Sequence, residues 1–209
     1  MARTGRPRGF DKDQATEQAM HLFWEHGYEA TSLSQLKAAM GGLSPSSFFA
    51  AFGSKEGLFR AVLDRYLATH GQAVAPLRDP ALPPREAVEQ ALRGSARMQT
   101  GAAHPPGCLV VVSATTCAPE NQHLRERLAE ERAGNRAALR ACVDRAVAAG
   151  DLRPETDAAG LAAALDAVLT GLSTQARDGV PLPVLEAGIT AILGAWDAWT
   201  ADDARMGVR

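Results

Sequence analysis

The 209-residue sequence predicts an all-α protein, and three observations lead to that prediction. Alanine and leucine dominate the composition while aromatic residues make up 5% of it, which favours helices. Apolar residues recur at helical spacing along most of the chain, and glycine or proline ends each run. Val110–Val112 resembles a buried strand, but the sequence offers no second strand pattern to pair with it. We therefore expect a short buried helix over 108–117.

The segment before the first helix pattern, residues 1–9, contains three arginines. Such an arm can place arginine side chains, here Arg6 and Arg8, in the narrow minor groove of A·T-rich DNA. A solubilising tail explains the same composition, so the function of the arm stays open.

The first helix is predicted over about Lys12–His26. Asp11 is a suitable N-cap, and Gly27 supplies a left-handed stop at the other end. Its apolar stripe has i, i+4, i+7, i+8 spacing and consists of Ala15, Ala19, Leu22 and Phe23. We interpret this helix as the support on which the next two helices pack.

Residues 32–55 hold two very short helix patterns joined by a tight turn. Ser32 and Gln35 have the spacing of a capping box, and Gly41 and Gly42 end the first helix. Ser44 and Pro45 then begin a second helix of about two turns, Pro45–Phe52. Two short helices that meet at a glycine turn predict a helix-turn-helix, whose second helix can enter a DNA major groove.

The first third of the chain resembles the tetracycline-repressor (TetR) family of bacterial transcription regulators. The residues that match the family pattern are Gly27, Tyr28, Thr31, Ser32, Leu36, Ala39, Leu43, Ser44, Phe49, Phe52, Ser54, Lys55, Glu56 and Leu58. Two departures stand out. Phe49 occupies a position that is usually tyrosine and so lacks a hydroxyl for a phosphate, and the glycine turn is one residue longer than the commonest form.

Small and polar residues on the outer side of the second short helix, and at the helix starts, are the candidate DNA contacts. Serine can hydrogen-bond to bases or phosphates, and alanine can contact a thymine methyl group. Lys55 lies in the first turn of the following helix, where its ammonium and free backbone N–H groups can hold a phosphate. The predicted set is Arg6, Arg8, Ser32, Ser44, Ser46, Ser47, Phe49, Ala50 and Lys55. None of the residues on the outer side of the second short helix offers a bidentate base contact, so we expect modest direct readout in each half-site.

The rest of the chain is predicted as a helical bundle. A proline-rich connector, Gly71–Pro84, separates a helix over Lys55–His70 from later helices over about Arg85–Thr100, Cys108–Cys117, Glu120–Ala149, Asp157–Arg177 and Pro183–Thr200. We therefore expect a helix-turn-helix DNA-binding domain over 8–68, followed by a helical domain for effector binding and dimerisation over 69–209.

The last two predicted helices carry the strongest apolar stripes of the chain, made of Leu161, Leu165, Val168 and Leu172 in one helix and Leu185, Ile189, Ile192 and Trp196 in the other. In the TetR family the matching pair forms a four-helix dimer interface, so the resemblance implies a homodimer built on these residues. An alternative stays open, in which both stripes fill the core of a single chain.

Several classes of protein are disfavoured by the sequence. It has no nucleophile elbow, no phosphate-binding loop of the Walker type and no HExxH, so we do not expect an enzyme. The three cysteines are too scattered for a zinc site or a disulfide framework, and we expect no metal or cofactor. No apolar run reaches 18 residues, so we expect no membrane span. The few scattered cysteines favour a reducing cytoplasm. The net charge of −2 means that DNA binding must depend on where charges are placed.

The function that the resemblance implies is a ligand-responsive DNA-binding transcriptional regulator. It would be a homodimeric repressor that a small-molecule effector releases from a near-palindromic, double-stranded operator. The effector pocket is assigned by position to Met98, Gln99, His104, Cys108 and Cys117. Two alternatives stay open: a sensor of oxidants or electrophiles that uses Cys108 or Cys117 on the same frame, and a helical ligand-binding protein whose DNA head is vestigial.

Overall fold

The computed structural model describes residues 11–115 and 117–200, and within those ranges the fold consists of helices with no strand. The α-helices are α1 (Lys12–Ala30), α2 (Leu33–Ala39), α3 (Pro45–Phe52), α4 (Lys55–Ala68), α5 (Pro84–Gln99), α6 (Leu109–Thr115), α7 (Gln122–Ala149), α8 (Ala158–Arg177) and α9 (Leu182–Asp197). Short 3-10 helices cover His70–Arg78 and Pro119–Asn121. The predicted all-α class is confirmed.

The helix starts follow from capping side chains. An Asp11 oxygen accepts the backbone N–H of Asp13 at 2.8 Å, and the hydroxyls of Ser44 and Ser54 cap α3 and α4 in the same way. Ser32 and Gln35 form the predicted capping box on α2. Each cap satisfies backbone donors that the first turn of a helix leaves unpaired.

Two segments differ in detail from the prediction. Gly27 has φ 78° and ψ 172°, so the regular helix that begins at Lys12 is interrupted there as predicted, and the chain then resumes helical geometry to Ala30. The Thr31 hydroxyl holds this break by donating to the carbonyl oxygen of Gly27 at 2.7 Å. The connector after α4 is also more regular than expected, because the 3-10 helix over His70–Arg78 accommodates Pro76 with i to i+3 hydrogen bonds.

Two clusters of buried side chains hold the chain together. The first joins α1–α4, and residues of the later helices complete it, among them Leu109, Leu124 and Leu128. The second lies between the His70–Arg78 segment, α5, the last turns of α7, α8 and α9. Packing therefore crosses the predicted domain boundary at residue 68, and α6 and α7 contribute side chains directly to the core of the helix-turn-helix region.

The predicted dimer contacts need a correction. Six of the eight side chains are buried inside the single chain, namely Leu161, Leu165, Leu172, Leu185, Ile189 and Trp196. The reason is that α8 and α9 turn their apolar stripes toward α5 and α7, which helical periodicity alone cannot reveal. Val168 and Ile192 are half-buried, so they are the two predicted residues whose side chains remain partly exposed for contact with a second subunit.

A buried tryptophan joins the two clusters. The Trp24 indole N–H donates to the carbonyl oxygen of Gly107 at 3.1 Å, across 83 residues of sequence. Arg177 at the end of α8 donates to the backbone carbonyl oxygens of Trp24 and Glu25 at 3.2 and 3.0 Å. The end of α1 is thus fixed to the α5–α6 loop and to α8 at once.

The glycine at this contact has no room for a side chain. Gly107 has φ 86°, and a Cβ atom built there would lie 3.0 Å from the carbonyl oxygen of Ser173 and 2.9 Å from Cγ of Arg177. Gly150, which ends α7, also has a positive φ of 81°, but a Cβ atom there would have nothing within 4 Å. Substitution of Gly150 would therefore introduce backbone strain alone, whereas substitution of Gly107 would introduce both strain and a steric clash.

We expect Gly107→Ala to destabilise the protein more than Gly150→Ala. Gly150→Ala imposes the strain of a left-handed alanine, about 1 kcal/mol. Gly107→Ala adds a clash that must displace α8, which overpacking data place at about 1–3 kcal/mol more. Urea unfolding of both variants and the wild type measures the difference. Equal losses of unfolding free energy would show that the Gly107 contact is not tight.

Candidate nucleic-acid interface and effector cavity

The turn between α2 and α3 is set by two glycines with φ of 79° and 73°, Gly41 and Gly42. A Cβ atom at either position would have nothing within 4 Å, so the positive φ and not crowding calls for glycine there. Leu43 then anchors the turn, because its side chain is buried and its N–H donates to the Lys37 carbonyl oxygen at 3.0 Å. The result is the predicted helix-turn-helix geometry.

Helix α3 packs through one face and leaves the other in solvent. Phe48 and Phe52 are buried, whereas Ser46, Phe49 and Ala50 are exposed. The ring of Phe49 is 50% exposed and packs edge-on against Phe48, with 5.4 Å between the ring centroids. α3 is therefore fixed by its inner aromatic residues and presents small residues and one apolar ring outward.

The serine residues of the predicted DNA set have different roles. Ser44 accepts the backbone N–H of Ser47 at 3.1 Å and donates its hydroxyl to the Ser47 hydroxyl oxygen at 2.9 Å. The hydroxyl of Ser46 lies 3.0 Å from the Ser44 hydroxyl, and Ser32 is engaged in the α2 capping box. Ser32 and Ser44 thus hold the helix starts, while Ser47 keeps a hydroxyl proton for an outside acceptor. Arg6 and Arg8 lie outside the described residues.

The helix-turn-helix surface carries cations and no carboxylates between residues 31 and 55, where Lys37 and Lys55 are the charged residues. Lys55 Nζ lies 4.3 Å from the ring centroid of Tyr28, a cation–π contact that positions the ammonium beside the start of α4. Burial lowers the pKa of the Lys55 ammonium, and the nearby Glu29 carboxylate opposes that shift. A phosphate at this point would meet a fixed cation and the N-terminal end of a helix.

A cavity of about 350 Å³ lies in the second half of the chain, between α4, the His70–Arg78 segment, α5, α6, α7 and α8. Of the predicted pocket residues, Met98, Gln99 and Cys108 line it. Its volume is at the lower end of the range for sites that bind small organic molecules.

His104 and Cys117 do not line this cavity, so the cavity gives no support to their predicted place in an effector pocket. The His104 ring stacks on Trp24 with 4.4 Å between centroids, because the α5–α6 loop folds over the end of α1. The Cys117 thiol donates to the Ser113 carbonyl oxygen at 3.2 Å and packs against the core of the helix-turn-helix region. Burial raises the pKa of the Cys117 thiol, and the Glu29 charge raises it further. Both effects lower the fraction of the reactive thiolate.

Sequence reasoning missed Tyr66, His70, Arg132 and Asp166, which line the cavity from α4, the His70–Arg78 segment, α7 and α8. No motif could have identified them, since each lies on a different element. Tyr66 joins two elements of the wall, because its buried hydroxyl donates to the Cys108 sulfur at 3.2 Å. Burial raises the pKa of Tyr66 well above its usual value, so the hydroxyl stays a proton donor.

Aromatic rings continue from the cavity wall to α1. His70 packs against Trp24 at 4.9 Å and against His104 at 4.7 Å between ring centroids. Burial lowers the pKa of His70, and the nearby His104 contributes to the same shift. The ring cluster around Trp24 therefore disfavours the charged form of His70, and it connects the cavity with the support helix of the helix-turn-helix.

Among residues 11–115 and 117–200, the histidine, cysteine and carboxylate side chains form no group of three or more that could hold a metal ion. No helix in the same ranges has the length and apolar character needed to cross a membrane.

Comparison with known proteins identifies the family. Residues 15–62 match the family model for bacterial regulatory proteins of the tetR family, and residues 85–178 match the model for a tetracyclin repressor-like C-terminal domain. The HTH-type transcriptional repressor ComR of Escherichia coli K12 is 37% identical over 87% of this chain and 86% of its own length. The chain belongs to the TetR family. As a TetR-family protein it is a transcriptional regulator and not an enzyme, as the sequence predicted.

Other relatives agree with this TetR assignment. BdcR, another HTH-type transcriptional repressor of the same E. coli strain, is 36% identical over 51% of this chain and 54% of its own. Among solved structures, this chain is similar to a cysteine mutant of the TetR-family regulator CifR, which is complexed with 26-base-pair double-strand operator DNA. The two sequences are 44% identical, the TM-score is 0.84, and the match covers 91% of this chain and 100% of that chain. A TetR regulator of Chloroflexus aurantiacus J-10-FL is 25% identical with a TM-score of 0.77 over 90% and 94%.

The His70 environment predicts a pH-dependent stability. Because burial lowers the pKa of His70 in the folded protein, the unfolded chain binds the proton more readily. The stabilisation is complete above the ordinary pKa of 6.5 and is lost as the pH falls below it. We expect wild type to lose more unfolding free energy than His70→Gln between about pH 7.5 and 5. His26→Gln, an exposed histidine of α1, serves as the control and should behave like wild type. A His70→Gln profile that parallels wild type would contradict the assignment.

Proposed function

We propose that this TetR-family protein is a homodimeric, cytoplasmic repressor that binds a near-palindromic double-stranded operator and is released from it by a small-molecule effector. The observation that carries the proposal is the course of α4. Its first turn holds Lys55 beside the helix-turn-helix surface, and its last turn places Tyr66 in the cavity wall. The names of ComR and BdcR as repressors and the operator complex of CifR support this function over a thiol-based sensor or a vestigial DNA head.

On the operator, α3 is proposed to enter the major groove. Ser46, Ser47, Phe49 and Ala50 would face base edges and sugars, with the Phe49 ring packed on deoxyribose in place of a tyrosine hydroxyl contact. The starts of α2 and α4, with Ser32 and Lys55, would hold phosphates, as would the start of α3 at Ser44. Arg6 and Arg8 would add minor-groove contacts. The small side chains imply that DNA shape contributes much of the sequence preference.

The outer face of α8 and α9 is proposed as the dimer interface. It consists mainly of exposed alanine and glycine with a few larger apolar side chains: Ala163, Ala167, Val168, Gly171, Val184, Ala187, Gly188, Ala191, Ile192 and Ala195. A groove of about 310 Å³ runs between the two helices, and Val184 is 55% exposed at its edge. Small residues let helices of two subunits approach closely, and a helix-turn-helix protein needs a two-fold pair to read two half-sites.

Release of the operator is proposed to follow from a change in dimer shape. An effector in the cavity would contact α4 and α6, and α6 packs against the core of the helix-turn-helix region. The effector can shift the equilibrium only by its difference in affinity for the two shapes. The contact of Tyr66 with Trp24, 4.9 Å between ring centroids, is the proposed route to α1.

We expect Lys55→Met to weaken operator binding at all sequences because it removes one phosphate contact while keeping an apolar stem against Tyr28. One contact is lost in each subunit of the dimer, so the slope of log affinity against log salt should become shallower by about 1.8. Fluorescence anisotropy with DNA from upstream of the gene measures this slope. Arg140→Met removes an exposed cation of α7 that pairs with Asp144, and is the matched control. A Lys55→Met slope equal to that of Arg140→Met would exclude Lys55 as a phosphate ligand.

We expect Val184→Glu to break the dimer, since it would place an unpaired carboxylate in an apolar interface. The dimer dissociation constant should rise at least about tenfold, which corresponds to about 1.4 kcal/mol. Light scattering after size-exclusion chromatography measures the mass, with Ala137→Glu on the exposed side of α7 as the control. A dimer that survives Val184→Glu unchanged would place the interface elsewhere.

A further inference from the structure

Within residues 11–115 and 117–200, two polar atoms of cavity-lining side chains are buried without a hydrogen-bond partner: Oε1 of Gln99 and Nη1 of Arg132. Gln99 is only 3% exposed, and its Oε1 accepts no hydrogen bond from another described residue. Folded proteins pair most buried polar groups, and each exception calls for an explanation. Both exceptions here lie in the wall of one cavity.

Several neighbouring polar groups of the cavity wall are paired. Arg78 donates to the Asn135 side-chain oxygen at 2.8 Å, and Tyr66 donates to Cys108. Glu131 forms an ion pair with Arg127 at 2.6 Å. The backbone of Gln99 is also occupied, because its carbonyl oxygen accepts the N–H of Gly107 at 2.9 Å. The unpaired atoms are therefore side-chain groups held in place by a well-bonded frame.

The two atoms have opposite requirements. Oε1 of Gln99 needs a hydrogen-bond donor, and Nη1 of Arg132 needs an acceptor, best an oxygen with negative charge. Apolar side chains, among them Met98, Val110 and Leu169, form other parts of the wall. At about 30 Å³ for each water-sized group, the volume of about 350 Å³ corresponds to roughly ten non-hydrogen atoms.

We propose that the effector is a small hydroxylated or N–H-bearing carbonyl compound, with a donor on Gln99, a carbonyl or carboxylate oxygen on Arg132 and an apolar segment between. The inference rests on the proposed function only in calling this molecule an effector, because the binding chemistry follows from the cavity itself. Burial raises the pKa of Asp166, while the charges of Arg136 and Arg132 oppose that shift. Asp166 thus lies near enough to interact with both arginine charges, but no hydrogen bond joins its carboxylate to Nη1 of Arg132, which leaves that donor open to a ligand oxygen.

A matched series of probes tests this chemistry: 6-hydroxyhexanoate carries both groups, hexanoate lacks the donor, and 1-hexanol lacks the carboxylate. Titration calorimetry should give 6-hydroxyhexanoate at least about tenfold tighter binding than either of the others. Gln99→Leu should erase the advantage over hexanoate, and Arg132→Met the advantage over 1-hexanol. Equal affinities for the three probes, no binding of any at millimolar concentration, or preferences that survive both substitutions would overturn the proposal.

The ligand-free protein offers a second readout. Gln99→Leu replaces an unpaired buried amide by an apolar side chain of similar size, so its melting temperature should rise by about 2–4 °C. Gln90→Leu, on the exposed side of α5, is the control and should leave the melting temperature unchanged. A fall in the melting temperature of Gln99→Leu would mean that the amide has a partner in the free protein, which contradicts the inference.

Anisotropy with upstream DNA separates the two proposals. If the unliganded wild type shows no specific DNA binding, the proposed repressor function is refuted. The selectivity among the three probes would still test the ligand chemistry of the cavity. Specific DNA binding combined with indiscriminate probe binding would refute the ligand chemistry alone. Release of the DNA by 6-hydroxyhexanoate and not by hexanoate would support both.

Discussion

The contact of Trp24 with Gly107 is the constraint on which the arrangement of the two clusters depends. A buried indole needs a partner for its N–H, and here the partner is a backbone carbonyl oxygen from a loop 83 residues away. That loop can reach Trp24 only because Gly107 has no side chain to meet Ser173 and Arg177. The same loop stacks His104 on the indole. The Trp24–Gly107 bond thus fixes α1 to the α5–α6 loop, and the hydrogen bonds from Arg177 fix α8 to the same end of α1.

Helix α4 contacts α1 at both of its ends. Its 14 residues span about 21 Å, with Lys55 against Tyr28 at one end and Tyr66 against Trp24 at the other. Both ends of α4 therefore contact α1, the helix against which the helix-turn-helix packs. A ligand that displaces Tyr66 cannot leave α1 unaffected, because Tyr66, His70 and His104 all pack on the same indole. A close-packed core transmits such shifts without absorbing them.

The sequence predicted what is local and missed what is distant. Caps at Ser32 and Ser44 and the glycine turn depend on residues a few positions apart, and they were predicted correctly. Periodicity showed that Leu165 and Ile189 are buried, but it could not say whether against another subunit or against α5 and α7. The cavity was assigned by position along the chain, so residues contributed by other elements, such as Arg132 and Asp166, were invisible. His104, which does not line this cavity, was assigned by the same reasoning.

The unpaired atoms of the cavity explain how a molecule of this kind can respond to a ligand. Each buried polar group without a partner costs the free protein about 1–3 kcal/mol. A ligand at a hundred times its dissociation constant contributes about 2.7 kcal/mol to the form that binds it. The two quantities are of similar size. Under the proposed ligand chemistry, satisfying Gln99 and Arg132 would therefore change which form of the protein prevails to the extent that the ligand binds one form more tightly than the other. Apolar side chains at these two positions would give a more stable core, but they would remove the polar contacts through which the proposed effector is recognised.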